Sequence, residues 1–244
     1  MFKPEERLIV ALDVPTQDDV EQACAALGDS AVFYKVGLQL FLAEGAGVLS
    51  YLTGKSYKVF LDLKLHDIPH QVAGACREIA RLGVDMTTIH TMGGSEMMRA
   101  AANAIRESSI EFGVEPPILL GVTVLTSLNQ TQAGEIGIVA KISEHVVRLA
   151  MLAKESGLDG VVASPLEVEA IRAAVGEDFV IVTPGIRSSA DVVGDQQRVM
   201  SAADAITAGS TYLVVGRPII KADDPRRAAG TVVAEIERAL NANT

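Results

Sequence analysis

At 244 residues the chain has room for one large domain, and 49% hydrophobic with 21% charged residues is ordinary for a globular fold, which argues against disorder. A formal net charge of −10 leaves no basic surface to follow a phosphate backbone, so no nucleic acid is expected as a partner. Cys24 and Cys76 stand far apart outside any Cys-x-x-Cys, residues 1–7 lack an apolar leader, and no window is apolar for the length of a membrane span. These features predict a soluble cytoplasmic protein with reduced thiols and no membrane association.

In chain order, Leu8-Ile9-Val10-Ala11-Leu12 is a continuous apolar run ending at Asp13, the pattern of a strand buried on both faces. Residues 16–27 follow as a helix. Thr16 or Asp18 caps it, Val20, Ala23, Cys24 and Leu27 form its stripe, and Gly28 closes it. Apolar runs at 32–36, 58–64, 84–90, 117–124, 159–163, 178–183 and 211–215 bring the strands to eight. Amphipathic stretches at 38–53, 70–82, 95–112, 141–156, 165–175, 196–208 and 225–241 do the same for the helices. Eight βα pairs in succession predict an α/β fold, a (β/α)₈ TIM barrel, as a single domain over 1–244. A doubly wound sheet would want Gly-x-Gly-x-x-Gly after the first strand, and Asp13-Val14-Pro15-Thr16 is nothing like it. No short repeat beyond the βα alternation is visible, and residues 113–117 read as the turn into the fifth strand.

The stretch Lys58 to Pro69 carries the chemistry. As a strand it would point Phe60, Asp62 and Lys64 to one face and Val59, Leu61, Leu63 and Leu65 to the other, delivering charges to the C-terminal mouth of a barrel. The alternative is a buried ion pair beside a turn begun by Asp67. The other strand ends add Asp13, Lys35, His90, Thr123 and the pair Thr126-Ser127; strand seven ends in Pro184-Gly185-Ile186-Arg187 and strand eight in Gly216-Arg217. Loops after strands seven and eight are the habitual phosphate position in this fold, and Arg187 and Arg217 would hold a phosphate bidentately. A lysine among carboxylates is favoured as the ammonium, so Lys64 reads as an acid and not as a Schiff-base amine. Lys35 and Lys64 already stand as counter-ions to the carboxylates, which argues against a metal.

Asp62-x-Lys64-x-x-Asp67-Ile68-Pro69 occurs with Asp13, Phe33-Tyr34-Lys35-Val36-Gly37, Thr183-Pro184-Gly185-Ile186-Arg187 and Val214-Val215-Gly216-Arg217-Pro218-Ile219. Together they resemble the orotidine 5′-phosphate decarboxylases of the bacterial type, over nearly the whole chain. The resemblance implies a cofactor-free, metal-free enzyme acting on a nucleotide, with Lys35, Asp62, Lys64 and Asp67 as the charged network and Asp67 reaching across a homodimer interface. It further implies that Asp13 and Lys35 meet the ribose hydroxyls and that Thr126 and Ser127 meet the pyrimidine. Arg187, Gln196, Gly216 and Arg217 would take the phosphate, with Pro184 beside them and the polar loop 185–196 as a lid. Where the family commonly has Asn-Thr after Ile-Pro, this chain has His70-Gln71, and Gln71 keeps a donor.

Two other readings stay open on the residues alone. One is a metal-dependent sugar-phosphate decarboxylase or aldolase of the same superfamily, which would want a carboxylate where this chain has Lys35. The other is a non-enzymatic sensor of a phosphate ligand, which has no need of buried Asp-Lys-Asp charges. His66, His70, His90 and His145 lack metal-ligand spacing and read as structural.

Overall fold

The computed structural model of the chain describes residues 3–187 and 200–242. Its apolar runs become eight parallel strands: β1 Leu8–Ala11, β2 Phe33–Gly37, β3 Lys58–Leu65, β4 Met86–His90, β5 Ile118–Val122, β6 Gly160–Val162, β7 Val180–Pro184 and β8 Tyr212–Val215. Each pairs with its sequence neighbours, and β8 closes on β1 with Leu8 opposite Leu213 and Val10 opposite Val215. The predicted barrel is therefore the observed one.

Strand alternation sorts the core into two layers. Ile9, Phe33, Phe60, Met86, Leu120, Val182 and Tyr212 meet inside the barrel, where the Phe33 and Tyr212 rings pack edge to face at 5.9 Å. The alternate residues, among them Leu8, Val10, Tyr34, Val59, Leu119 and Ile181, face the surrounding helices. Those helices are α1 Gln17–Leu27, α2 Leu38–Glu44, α3 Ala46–Gly54, α4 Pro69–Arg81, α5 Gly94–Phe112, α6 Gln130–Glu135, α7 Ile142–Glu155, α8 Val168–Val175, α9 Ala202–Thr207, α10 Arg217–Ile220 and α11 Pro225–Ala242. Thr16 caps α1 by accepting from the Asp19 amide at 3.2 Å, so of the two cap candidates the threonine serves.

Three features depart from the pattern read in the sequence. The single helix expected over 38–53 is two, because Gly45 takes φ +61, a left-handed conformation that ends α2 before α3 begins. The short helices α6 and α10 were not expected. A capping box between Asn129 and Gln132 starts α6, and Gln130 ties it to α7 by accepting from the Ile142 amide at 3.0 Å. The third is a set of ties at the N-terminal end of the barrel. Val59 donates its amide to Asp85 at 2.7 Å, Leu119 to Asp159 at 2.8 Å, and Ile181 to Thr211 at 3.1 Å. The three acceptors follow Gly83-Val84, Gly157-Leu158 and Gly209-Ser210, a three-residue cue too short to stand out as a repeat.

Candidate active site

A cavity of about 440 Å³ opens at the C-terminal ends of the strands. Its charged wall is built by the first three strands. Asp13 follows β1, Lys35 stands on β2, and β3 contributes Phe60, Asp62 and Lys64, all three facing the cavity. Leu63 between them packs outward against the helices.

The charges are bonded to one another. Lys64 Nζ donates to Asp62 Oδ2 at 2.7 Å, and Lys35 Nζ lies 3.7 Å from the same oxygen and 3.3 Å from Asp13 Oδ1. The other oxygen of Asp62 accepts from Thr88 Oγ1 at 3.0 Å. Exposure is lowest in the middle of this chain of charges: the Asp62 and Lys35 side chains are each 11% exposed, while Lys64 at one end is 36% and Asp13 at the other 60% exposed. Burial works to raise the Asp62 carboxyl, but Lys35 and Lys64, with hydrogen bonds from Lys64 and Thr88, outweigh it and hold the group below its ordinary value. Asp62 is therefore a carboxylate at neutral pH, with two ammoniums sharing one of its oxygens.

The remaining walls divide into an apolar and a cationic part. Val122, Val124, Leu125 and Val162 offer no hydrogen bonds from their side chains, and Thr126 joins them from the loop after β5. Across the barrel from β3, Pro184 ends β7 and Gly185, Ile186 and Arg187 follow it, while Gly216, Arg217, Pro218 and Lys221 follow β8. A Cβ on Gly216 would lie 3.3 Å from Asp13 Oδ2 and 3.4 Å from Ala11 Cβ, so glycine is what lets this turn approach the charged wall. The Arg187 amide donates to the Met200 carbonyl at 3.1 Å.

Of the residues singled out in the sequence, Asp13, Lys35, Asp62, Lys64, Thr126, Pro184, Arg187, Gly216 and Arg217 all line this one cavity. Asp67 and Ser127 are exposed and outside its lining; the Asp67 carboxylate accepts from the Ile68 amide at 2.6 Å. Gln196, and the expected lid beyond Arg187, lie outside the described residues. Sequence reasoning missed Lys221 and Thr88. Lys221 was findable as the position one helical turn after Arg217, and Thr88 as one of two adjacent hydroxyls, Thr87 and Thr88, in a strand that ends at the rim residue His90. His90 stays out of the lining, its ring centroid 5.4 Å from that of His66; burial, then His66 and Lys64, push its imidazole below the ordinary value against the pull of Asp62. Among the described residues no group of three His, Cys, Asp or Glu side chains is placed to hold a metal ion.

Comparison with known proteins identifies the family. A profile of the orotidine 5′-phosphate decarboxylase / HUMPS family matches residues 6–232. The orotidine 5′-phosphate decarboxylase of Moorella thermoacetica is 48% identical over 96% of this chain and 93% of its own length, and that of Trichlorobacter lovleyi is 49% identical over 95% of each. The crystal structure of the Lactobacillus acidophilus orotidine 5′-phosphate decarboxylase superposes with a TM-score of 0.82 at 39% identity, covering 94% of this chain and 98% of that one. Identity near one half over more than nine-tenths of both chains goes well beyond a shared barrel, and the chain belongs to the orotidine 5′-phosphate decarboxylase / HUMPS family.

Proposed function

We infer that the chain decarboxylates orotidine 5′-phosphate to uridine 5′-phosphate, a step of de novo pyrimidine biosynthesis, with Lys64 as the proton donor. The observation that carries the mechanism is the Lys64 ammonium bonded to Asp62 on the cavity wall, with Arg187 and Arg217 across the barrel. A phosphate held by the two arginines would place the nucleotide between the cationic and charged walls. As the bond from C6 to the carboxylate breaks, CO₂ departs and the electron pair stays on C6. The ammonium stabilises that carbanion and gives it a proton, then regains one from water. The apolar patch of Val122, Val124 and Val162 suits a departing neutral CO₂. Asp13 and Lys35 would take the ribose hydroxyls, and Thr126 and Ser127 the ring.

A homodimer accounts for Asp67, which has no place in its own cavity. The exposed apolar side chains Leu38, Ile68 and Met92 all closely follow strand C-termini, so they lie on the same end of the barrel as Asp67 and supply a face for a second copy. In that arrangement Asp67 serves the neighbouring site, and the whole chain acts as one domain. No helix among the described residues is long and apolar enough to cross a membrane. Cys24 and Cys76 are buried and unpaired, which suits a reducing cytoplasm.

The test is the fall in absorbance as orotidine 5′-phosphate is consumed, run with and without EDTA. Full turnover in EDTA with no gain from added Mg²⁺ supports the reading. Turnover that requires Mg²⁺, or none at all, would move the chain to the metal-dependent or the sensor reading.

A further inference from the structure

The pairing of β3 with β4 is interrupted at the candidate catalytic residues. Leu61 stands opposite Thr87 and Leu65 opposite Ile89, so three residues of β3 (Asp62, Leu63 and Lys64) face the single residue Thr88. Lys64 sits at φ +53, a backbone conformation that side chains other than glycine rarely adopt. Its amide leaves the strand ladder and donates instead to Thr88 Oγ1 at 2.9 Å. The same hydroxyl donates to Asp62 Oδ1 at 3.0 Å. A hydroxyl has one proton, and the amide can only donate, so the roles are fixed: Thr88 gives its proton to the carboxylate and its lone pair to the amide.

This one fully buried side chain therefore holds both members of the Asp62–Lys64 pair, by the carboxylate of one and the backbone of the other. With Oδ1 bonded to Thr88, Asp62 presents Oδ2 to both lysines, at 2.7 Å from Lys64 and 3.7 Å from Lys35. Thr88 does not line the cavity, so any effect it has on the reaction passes through these two residues. We propose that Thr88 is a positioning residue, whose hydroxyl fixes the bulge in β3 and the rotation of the Asp62 carboxylate and so aims the Lys64 ammonium at the reacting carbon. The proposal rests on the reading of Lys64 as proton donor.

Thr87 is a built-in control. It is equally buried on the preceding position of the strand, but its hydroxyl donates to the Leu61 carbonyl, at 3.0 Å, away from the charges. The experiment compares Thr88→Val, Thr88→Ser and Thr87→Val by kcat, KM, the pH dependence of kcat, and Tm. Thr88→Val is expected to lower kcat by roughly 10²-fold with KM changed by less than about threefold, the size of loss typical for one misdirected electrostatic group. Thr88→Ser, which keeps both bonds, should recover kcat to within about fivefold of wild type, and Thr87→Val should leave kcat unchanged while lowering Tm. The acid limb of kcat should move to higher pH in Thr88→Val. The groups facing Asp62 are Lys35 from β2, Lys64 from its own strand and Thr88 from β4, with Asp13 and His90 beyond; only the Thr88 bond to the ionised form is removed, and its loss disfavours that form. If Thr88→Val does not fold, Thr88→Ala carries the same expectations for kcat and the acid limb.

Wild-type kcat and an unmoved acid limb in the Thr88 variant would overturn the proposal. So would equal kcat losses in Thr88→Val and Thr87→Val that follow Tm, since that is the signature of a structural role. Failure of the underlying reading looks different: Lys64→Ala would then keep its turnover, whatever the Thr88 variants do.

Discussion

The two ends of the barrel use carboxylates in opposite ways. At the N-terminal end Asp85 and Asp159 accept from backbone amides of the neighbouring strands, Val59 and Leu119, and so fix strand position. At the C-terminal end Asp13 and Asp62 accept from side-chain ammoniums, Lys35 and Lys64, and neither accepts from the backbone amide of a strand, the one strand tie there being the side-chain bond of Asp62 to Thr88. A carboxylate bonded to an amide satisfies a donor that every strand must satisfy somewhere. A buried carboxylate between two ammoniums contributes little to stability that a well-packed apolar group would not, because desolvation offsets the attraction. Its value is the field it gathers where charge develops in a reaction. The difference teaches which end of this fold serves folding and which serves chemistry, and each variant below tests that division.

The largest effect is expected at the centre of the charged wall. Lys64→Ala removes both the proton donor and the charge that stabilises the carbanion, and should lower kcat by about 10⁴-fold or more with the fold intact by circular dichroism. Mixing it with Asp67→Ala should restore activity under conditions where subunits exchange, because one site of each heterodimer then keeps both groups. No recovery despite demonstrated exchange would confine Asp67 to its own subunit.

On the cationic wall the expected effect is smaller and depends on the substrate. Arg217→Ala and Arg187→Ala should each lower kcat/KM by roughly 10²-fold, as for loss of a charge-assisted contact of about 3 kcal/mol. With orotidine, which lacks the phosphate, the same variants should match wild type. Equal losses on both substrates would put these arginines in the service of the fold.

At the opposite end the readout should be stability alone. Asp85→Ala leaves the Val59 amide without its 2.7 Å partner, and a lost hydrogen bond of about 1 kcal/mol should lower Tm by roughly 2–4 °C in a domain of this size while kcat is unchanged. A fall in kcat there would erase the division between the ends.

The smallest effect is one of slope. Because the Asp62 carboxyl is held below its unfolded value, its contribution to stability is fully present above about pH 4 and is lost as the pH falls further. The Tm of wild type should therefore drop more steeply between pH 4.5 and pH 3 than that of Asp62→Asn, which has no proton to take up. Parallel profiles would show that the lysines do not hold the carboxyl down.

The sequence carried much of this but not all, for physical reasons. Barrel topology was legible because each strand buried on both faces is a continuous apolar run, and each helix shows its stripe. The break at Gly45 was missed because the apolar pattern of 38–53 runs across it, while the glycine's left-handed turn leaves no mark on periodicity. Asp62 and Lys64 were found because charges in a buried strand are rare. The bulge that shapes them was not, since it depends on which residue of β4 stands opposite, and pairing register is not written in one strand. Val122, Val124 and Val162 line the cavity but look like any other core residue in sequence.

The most direct test sets the same substitution at the two ends of the barrel. Measured on orotidine 5′-phosphate, Asp62→Asn should lower kcat by roughly 10³-fold, because it leaves Lys35 and Lys64 without the charge that orients them, whereas Asp159→Asn should stay within about twofold of wild type. Near-wild-type turnover in Asp62→Asn, or a comparable loss in Asp159→Asn, with both variants folded, would contradict the account.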